Sequence, residues 1–180
     1  MSENNTIIRS MHDLGLAAWF GGTLMGATGL NGAAAKAKDP VERLTLSSLG
    51  WARWAPVQLA ALSVHAVGGA GLIMANRRRL AMQQGARSNT GVKLALTVAA
   101  AVTSFWSASL GKKMAEHASE GTRGTTEPSG SASPMLQSTQ RQQKILQWAT
   151  PVLTGVLLIM AAQQGEQQRS AAGIADKKRR

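Results

Sequence analysis

Cysteine is absent from this 180-residue chain. That excludes disulfides, thiolate metal sites, a cysteine nucleophile and lipidation of an N-terminal cysteine. Acidic residues are scarce: nine Asp and Glu stand against twenty Lys and Arg, for a net charge of +11. No acid falls inside the long apolar blocks described below, so the intramembrane carboxylate on which proton-coupled transport usually relies is missing. Asp39, Glu42, Glu116, Glu120 and Glu127 lie in connecting segments without a His–Ser arrangement, which gives no support to nucleophilic or paired-carboxylate catalysis. No phosphate loop and no dinucleotide fingerprint occurs. No Met-x-x-Met cluster offers the soft ligands that Cu(I) prefers, and scattered Met is ordinarily adaptable packing. The chain is expected to be non-enzymatic.

What is present is segregation. A mean hydropathy of -0.08 suits a soluble protein, but it averages Ala- and Gly-rich apolar blocks with very polar connections. Those blocks carry no polar stripe of the kind an amphipathic helix in a soluble, Ala-rich bundle needs. Their lengths, at about 14–35, 55–75, 91–111 and 145–162, match or approach what crosses a hydrocarbon core of about 30 Å. The expectation is an all-α, polytopic membrane bundle with four transmembrane helices. Residues 1–165 form its single domain, with a flexible external loop at 115–134, and residues 166–180 form a basic cytoplasmic tail.

Arg77, Arg78 and Arg79 end the second block abruptly. Basic residues beside a span are retained on the cytoplasmic side, which places both termini inside. Arg77, Arg78, Arg79 and Arg87 are candidates for anionic lipid headgroups, each worth about 1 kcal/mol near a negative leaflet; the alternative is a topology signal alone. Topology accounts for the basic residues more simply than nucleic-acid binding does. Gly32-Ala33-Ala34-Ala35 resembles a signal cleavage site, but Glu3 and Asp13 dilute the positive segment that would precede it. The first block is therefore read as an uncleaved helix.

Asp39-Pro40-Val41-Glu42 has a capping side chain, a Pro at the first helical position and an acid three residues after the cap. It predicts a short interfacial helix between the first and second spans. Trp51 and Trp54 are its expected headgroup-level anchors; the alternative is an ordinary loop with two buried indoles. Ala18, Gly22 and Gly26 recur every fourth residue in the first block, and Ala61 and Gly69 line one face of the second. Such small residues let helices approach closely in lipid, within a chain or between chains. The bulkier fourth block is expected to face lipid or a partner.

His65 lies near the middle of the second block, where an ionisable group is a functional candidate. It could ligate copper or haem, or shuttle a proton. The alternative is a neutral imidazole hydrogen-bonded to Thr23, Thr103 or Ser104. His12 and His117 fall at other expected depths, so His65 is expected to lack a mate within the chain. Arg9 and Asp13, four residues apart, are expected to pair.

Met11-His12-Asp13-Leu14-Gly15-Leu16-Ala17-Ala18-Trp19-Phe20-Gly21-Gly22, together with Gly50-Trp51-Ala52-Arg53-Trp54 and Pro56, resembles small four-helix membrane proteins of high-GC Gram-positive bacteria. The His-to-Trp-to-Gly-Gly pattern is more distantly similar to CopD-like copper-resistance membrane proteins. The resemblance implies a bacterial plasma membrane location and carries no catalytic residues. The functional expectations are an accessory or scaffolding subunit first, then a metal or haem protein centred on His65, then a small transporter or permease. Expected partners are membrane lipids, other membrane subunits or a second copy of the chain; no resident cofactor is expected on the first reading.

Overall fold

The computed structural model describes the backbone of residues 3–177 and the side-chain surroundings of residues 6–163 apart from Arg79. The chain is helical nearly throughout: α1 Glu3–Met25, a π-helical turn Gly26–Leu30, α2 Asn31–Ala34, α3 Pro40–Ala75, α4 Arg77–Met82, α5 Gln84–Glu116 and α6 Pro134–Lys177. Three of these are long and apolar enough to cross a membrane: Pro40–Ala75, Gln84–Glu116 and Pro134–Gln163. Only 17% of the most apolar window of α3 and of α5 is buried within the bundle, so their outward faces are apolar, as contact with lipid tails demands. Phe105 and Trp106 stand on that face of α5, 60% and 50% exposed. α1 is long enough to span but less apolar, because its first turns carry Arg9, His12 and Asp13.

The expected interfacial helix is not a separate element. α3 starts where the sequence says, with the Asp39 carboxylate accepting from the Val41 N–H at 2.8 Å and Pro40 in the first turn. It then runs 36 residues without a break, about 54 Å at 1.5 Å per residue. Pro56 does not end it. Residues 40–54 are thus the first turns of the second long helix. The fourth helix also exceeds its expected range: it begins at Pro134 and passes through Pro151. Its backbone stays helical through the expected tail to Lys177. Lys178, Arg179 and Arg180 lie outside the described residues.

α1 and α3 pack antiparallel. A Cβ on Gly15 would stand 2.6 Å from both the Ala61 carbonyl oxygen and the His65 backbone nitrogen. Gly68 meets the backbone of Ile8 and His12 in the same way, while Trp54 fills the notch at Gly22 and Trp51 that at Gly26. Ala18 is not part of this contact: it is exposed, since the crossing turns Gly15, Leu16 and Trp19 inward instead. Beyond the crossing, Leu16, Trp19, Ala61, Ala100 and Leu157 form an apolar cluster contributed by α1, α3, α5 and α6. α6 therefore buries part of its surface rather than facing lipid or a partner all round, although Val152, Val156 and Ile159 remain exposed.

Residues 117–133, within the 115–134 segment expected as a flexible external loop, fold over one end of the bundle. The Thr122 N–H donates to the Pro40 carbonyl at 3.1 Å, and Arg43 donates to the carbonyls of Ala37, Thr122 and Arg123. Buried Gln140 donates to the carbonyls of Gly124 and Thr125. Beneath them Leu44, Met114, Ala132 and Leu136 form a second apolar cluster. Glu120 caps α6 from outside: its carboxylate accepts from the Ser133 N–H at 2.6 Å and from the Ser133 hydroxyl at 3.0 Å. These bonds, the backbone N–H first, hold the Glu120 carboxyl below its usual range. A depressed folded pKa means that the contribution is present above the ordinary glutamate value and is lost as pH falls through the folded one. Glu120→Gln is expected to loosen this cap. Tryptic cleavage after Arg123 should accelerate several-fold in the variant, and unchanged cleavage would show that the bond is dispensable.

At the turn between α1 and α3, Asn31 is a hub. Its Nδ2 donates to Gln147 Oε1 at 3.0 Å, and its Oδ1 accepts from the Ser47 hydroxyl at 2.8 Å and the Trp51 indole at 2.9 Å. One buried amide thus links α2, α3 and α6. Asn31→Leu leaves two donors and an acceptor without partners and is expected to cost about 2 kcal/mol, read as a lowered melting temperature in mild detergent.

Candidate functional site

The close α1–α3 crossing at Gly15 and Gly68 brings His12 against His65. Their ring centroids lie 4.2 Å apart with the planes tilted by 38°. The expectation that His65 has no mate within the chain is therefore wrong: antiparallel helices in contact equalise depths that loop counting had separated. His65 is 3% exposed, and its Nδ1 donates to the His12 carbonyl at 3.0 Å, not to Thr23, Thr103 or Ser104. Asp13 pairs with its neighbour His12, Oδ1 to Nδ1 at 2.9 Å; the expected pair was with Arg9. Both Nδ1 atoms thus face oxygen acceptors. His117 sits at the opposite end, against the Lys113 carbonyl at 2.9 Å.

The histidine pair lines a cavity of about 280 Å³ at the Arg-rich end of the bundle. Arg9, Asp13, Asn76, Thr90 and Lys93 supply the polar wall, and Leu72, Ile73, Leu80 and Leu94 the apolar one. A second cavity, of about 500 Å³, lies towards the capped end. Its wall is mainly apolar, with Leu59, Leu62, Phe105 and Leu146 among its residues, and carries uncharged polar groups of Thr23, Gln58, Ser104, Ser107, Gln143 and Thr150. Buried Gln143 Oε1 has no hydrogen-bond partner among the described residues, although its Nε2 donates to Ser107 at 2.7 Å.

Between the cavities stands the apolar cluster around Trp19, which is fully buried. The Trp19 ring meets His65 edge-on at 6.1 Å on one side. On the other side its indole N–H donates to the Ser104 hydroxyl at 3.1 Å. Ser104 and Thr103 both reach Thr150, at 3.5 and 3.0 Å. One side chain thus touches a residue of each cavity.

The remaining expected site residues fall as follows. Gly22, Gly26, Ala61 and Gly69 all lie at the α1–α3 contact, Gly69 beside the His12 ring. Trp51 and Trp54 are half-buried there, and their N–H groups are taken by Asn31 and Gln58. The N–H groups of both indoles are thus satisfied within the protein. Arg77, Arg78 and Arg87 are exposed; the Arg79 side chain lies outside the described residues. No group of three His, Asp or Glu side chains among the described residues is placed to hold a metal ion. The two imidazoles are in ring-to-ring contact, which leaves no room for a porphyrin between them. His12 was missed as a site residue, yet a signal existed: small residues at 15, 68 and 69 mark where a neighbouring helix must come close.

The chain matches no family model, no curated protein and no solved structure.

Proposed function

We propose that this chain is a four-span bacterial plasma membrane protein, with both termini cytoplasmic, that acts as a small transporter or permease for a polar solute. The observation that carries this reading is the pair of cavities on either side of the Trp19 cluster. Two half-open cavities, each with polar groups set in a mainly apolar wall, are more than packing against partners requires. A carrier needs a chamber facing each side and a dry barrier between them. The hydroxyls and amides around Ser104, Gln143 and Thr150 supply the polar lining that a permease requires. α1 serves as the fourth span in this reading: its polar groups turn towards the histidine cavity, which offsets its weaker apolarity.

The scaffolding alternative rested on small-residue faces available to other subunits. Gly15, Gly22 and Gly26 on one side and Gly68 on the other are met within the chain, which weakens that motive, while Ala18 stays exposed. The metal or haem alternative keeps His65 with its neighbour His12, but no group of three His, Asp or Glu forms there among the described residues.

The absence of Cys allows a direct test. Thr97 lines the histidine cavity and Ala108 the other. In oriented proteoliposomes, an impermeant thiol reagent should modify Thr97→Cys from the cytoplasmic side and Ala108→Cys from the outer side. Efflux of small polar solutes should exceed that from protein-free vesicles. Labelling of both positions from one side, or no efflux for any solute of a broad panel, would reject the permease reading.

A further inference from the structure

In the cavity towards the capped end, the mouth and the inner wall differ in chemistry. α3 and α5 pack only sparsely against each other, and both line the cavity. Leu59 of α3 and Phe105 of α5 are among the lining residues and are each more than half exposed. They belong to two helices long and apolar enough to cross a membrane. The mouth therefore opens sideways between α3 and α5, towards lipid tails. The inner wall is built from buried side chains that include Thr23 of α1, Ser104 of α5, and Gln143 and Thr150 of α6.

Most of that inner polarity is engaged within the protein. The Thr23 hydroxyl donates to the Trp19 carbonyl, and Ser104 accepts from the Trp19 indole and donates to Thr150. Ser107 and Gln143 differ. The Ser107 hydroxyl accepts from Gln143 Nε2 at 2.7 Å, and its own proton has no acceptor among the described residues. Gln143, only 7% exposed, keeps an Oε1 without a partner among them. A buried acceptor left without a donor is costly. The terminal torsion of a glutamine is broad, so this oxygen can turn to meet a donor in the cavity. Ser107 thus offers a proton and Gln143 a lone pair, from facing helices. A hydroxyl answers both, because it donates and accepts, whereas an ether or ketone only accepts and an ammonium only donates. Among the described residues no acid lines this cavity, and Lys112 stands exposed at its rim, where solvent screens its charge. The wall therefore holds no buried counter-ion for a charged headgroup. Its volume of about 500 Å³ falls within the usual range for small-molecule sites.

We propose that this cavity binds an uncharged amphiphile carrying a hydroxyl, drawn from the bilayer through the gap between α3 and α5. The hydroxyl bridges Ser107 and Gln143, accepting from the first and donating to the second. The apolar body lies along Leu59, Leu62 and Phe105. A mainly apolar wall with one unsatisfied donor and one unsatisfied acceptor matches such a molecule and matches neither a plain hydrocarbon nor a water-borne polyol. The inference does not rest on transport, because occupancy is read without flux.

The probe is a diazirine-bearing octanol, photo-crosslinked to the full chain in phosphatidylcholine nanodiscs. Labelling should saturate and map to the segments around Leu59, Phe105 and Gln143. At equal mole fraction in the bilayer, 1-decanol should suppress it at least tenfold more strongly than decane, which has no hydroxyl to pair. Decyltrimethylammonium and decyl sulfate, each charged, should compete no better than decane. Glycerol has hydroxyls but no apolar body and should not compete. In Gln143→Leu and in Ser107→Ala the preference for decanol over decane should fall at least fivefold. Should Gln143→Leu fail to fold, Ala108→Phe narrows the cavity without touching a polar group and should abolish the saturable labelling. Decane competing as well as decanol would mean that lipid tails merely fill the gap, and would overturn the proposal. Equal competition by either charged analogue, or an unchanged decanol preference in both polar variants, would do the same. Competition by glycerol would also overturn it and assign the cavity to a water-borne solute. Efflux without decanol-selective labelling would reject this site and leave the permease reading standing; labelling without efflux would do the reverse.

Discussion

Gly15→Ala is expected to destabilise the bundle by about 3 kcal/mol, although alanine is the better helix former. In an exposed helix interior the same exchange gains about 1 kcal/mol. The sign reverses because the new methyl would sit 2.6 Å from the Ala61 carbonyl oxygen and the His65 backbone nitrogen. A flexible side chain could turn away from such a contact, but two helix backbones cannot. α1 must move outward instead, and overpacking strain of this kind costs roughly 1–3 kcal/mol. Separation also pulls His12 from His65 and loosens the His65 bond to the His12 carbonyl. Gly21 supplies the internal control, because a Cβ there meets nothing within 4 Å. Gly21→Ala should be neutral or stabilising. Thermal unfolding of both variants in the same detergent gives the comparison. Equal melting temperatures would show that the crossing is looser than described.

Why the sequence revealed the helices but not the site follows from the same contact. Hydropathy sums over a segment, so the block around Ala55–Ala75 announces a membrane-length helix whatever it touches. The Asp39–Pro40 start was legible for a similar reason, since capping is decided by adjacent residues. The pairing of His12 with His65 depends on the register between two helices, set by where Gly15 and Gly68 admit the opposing backbone. Small-residue spacing marked a face but not which residues would oppose each other, and it drew in Ala18, which ends exposed. The packing of Trp51 and Trp54 was hidden for the same reason. Indoles beside Arg53 read as headgroup anchors, and nothing local announced that their rings would fill the notches at Gly22 and Gly26. Residues 115–134 looked flexible because Gly, Ser and Thr dominate them. Their order comes from distant partners, Arg43 and Gln140, which no local pattern reports.

Trp19→Ala should join the two cavities. The side chain it removes is fully buried between His65 and Ser104, and alanine leaves a void along that line. Buried Trp-to-Ala changes cost about 3–5 kcal/mol in water-soluble cores. The lower end, about 3 kcal/mol, is expected here, because a helix separated within lipid does not expose the ring to water and the loss is mainly van der Waals contact. Trp19→Phe separates the ring from its N–H. It keeps an aromatic plug but takes away the donor to Ser104, for about 1 kcal/mol. Passive efflux of a small polar solute should therefore rise at least tenfold in Trp19→Ala and stay near wild type in Trp19→Phe. Labelling of Ala108→Cys from the cytoplasmic side should appear only with the alanine variant. A Trp19→Ala protein that remains folded and tight would locate the barrier elsewhere, among Leu16, Ala100 and Leu157, which close around the same point from α1, α5 and α6.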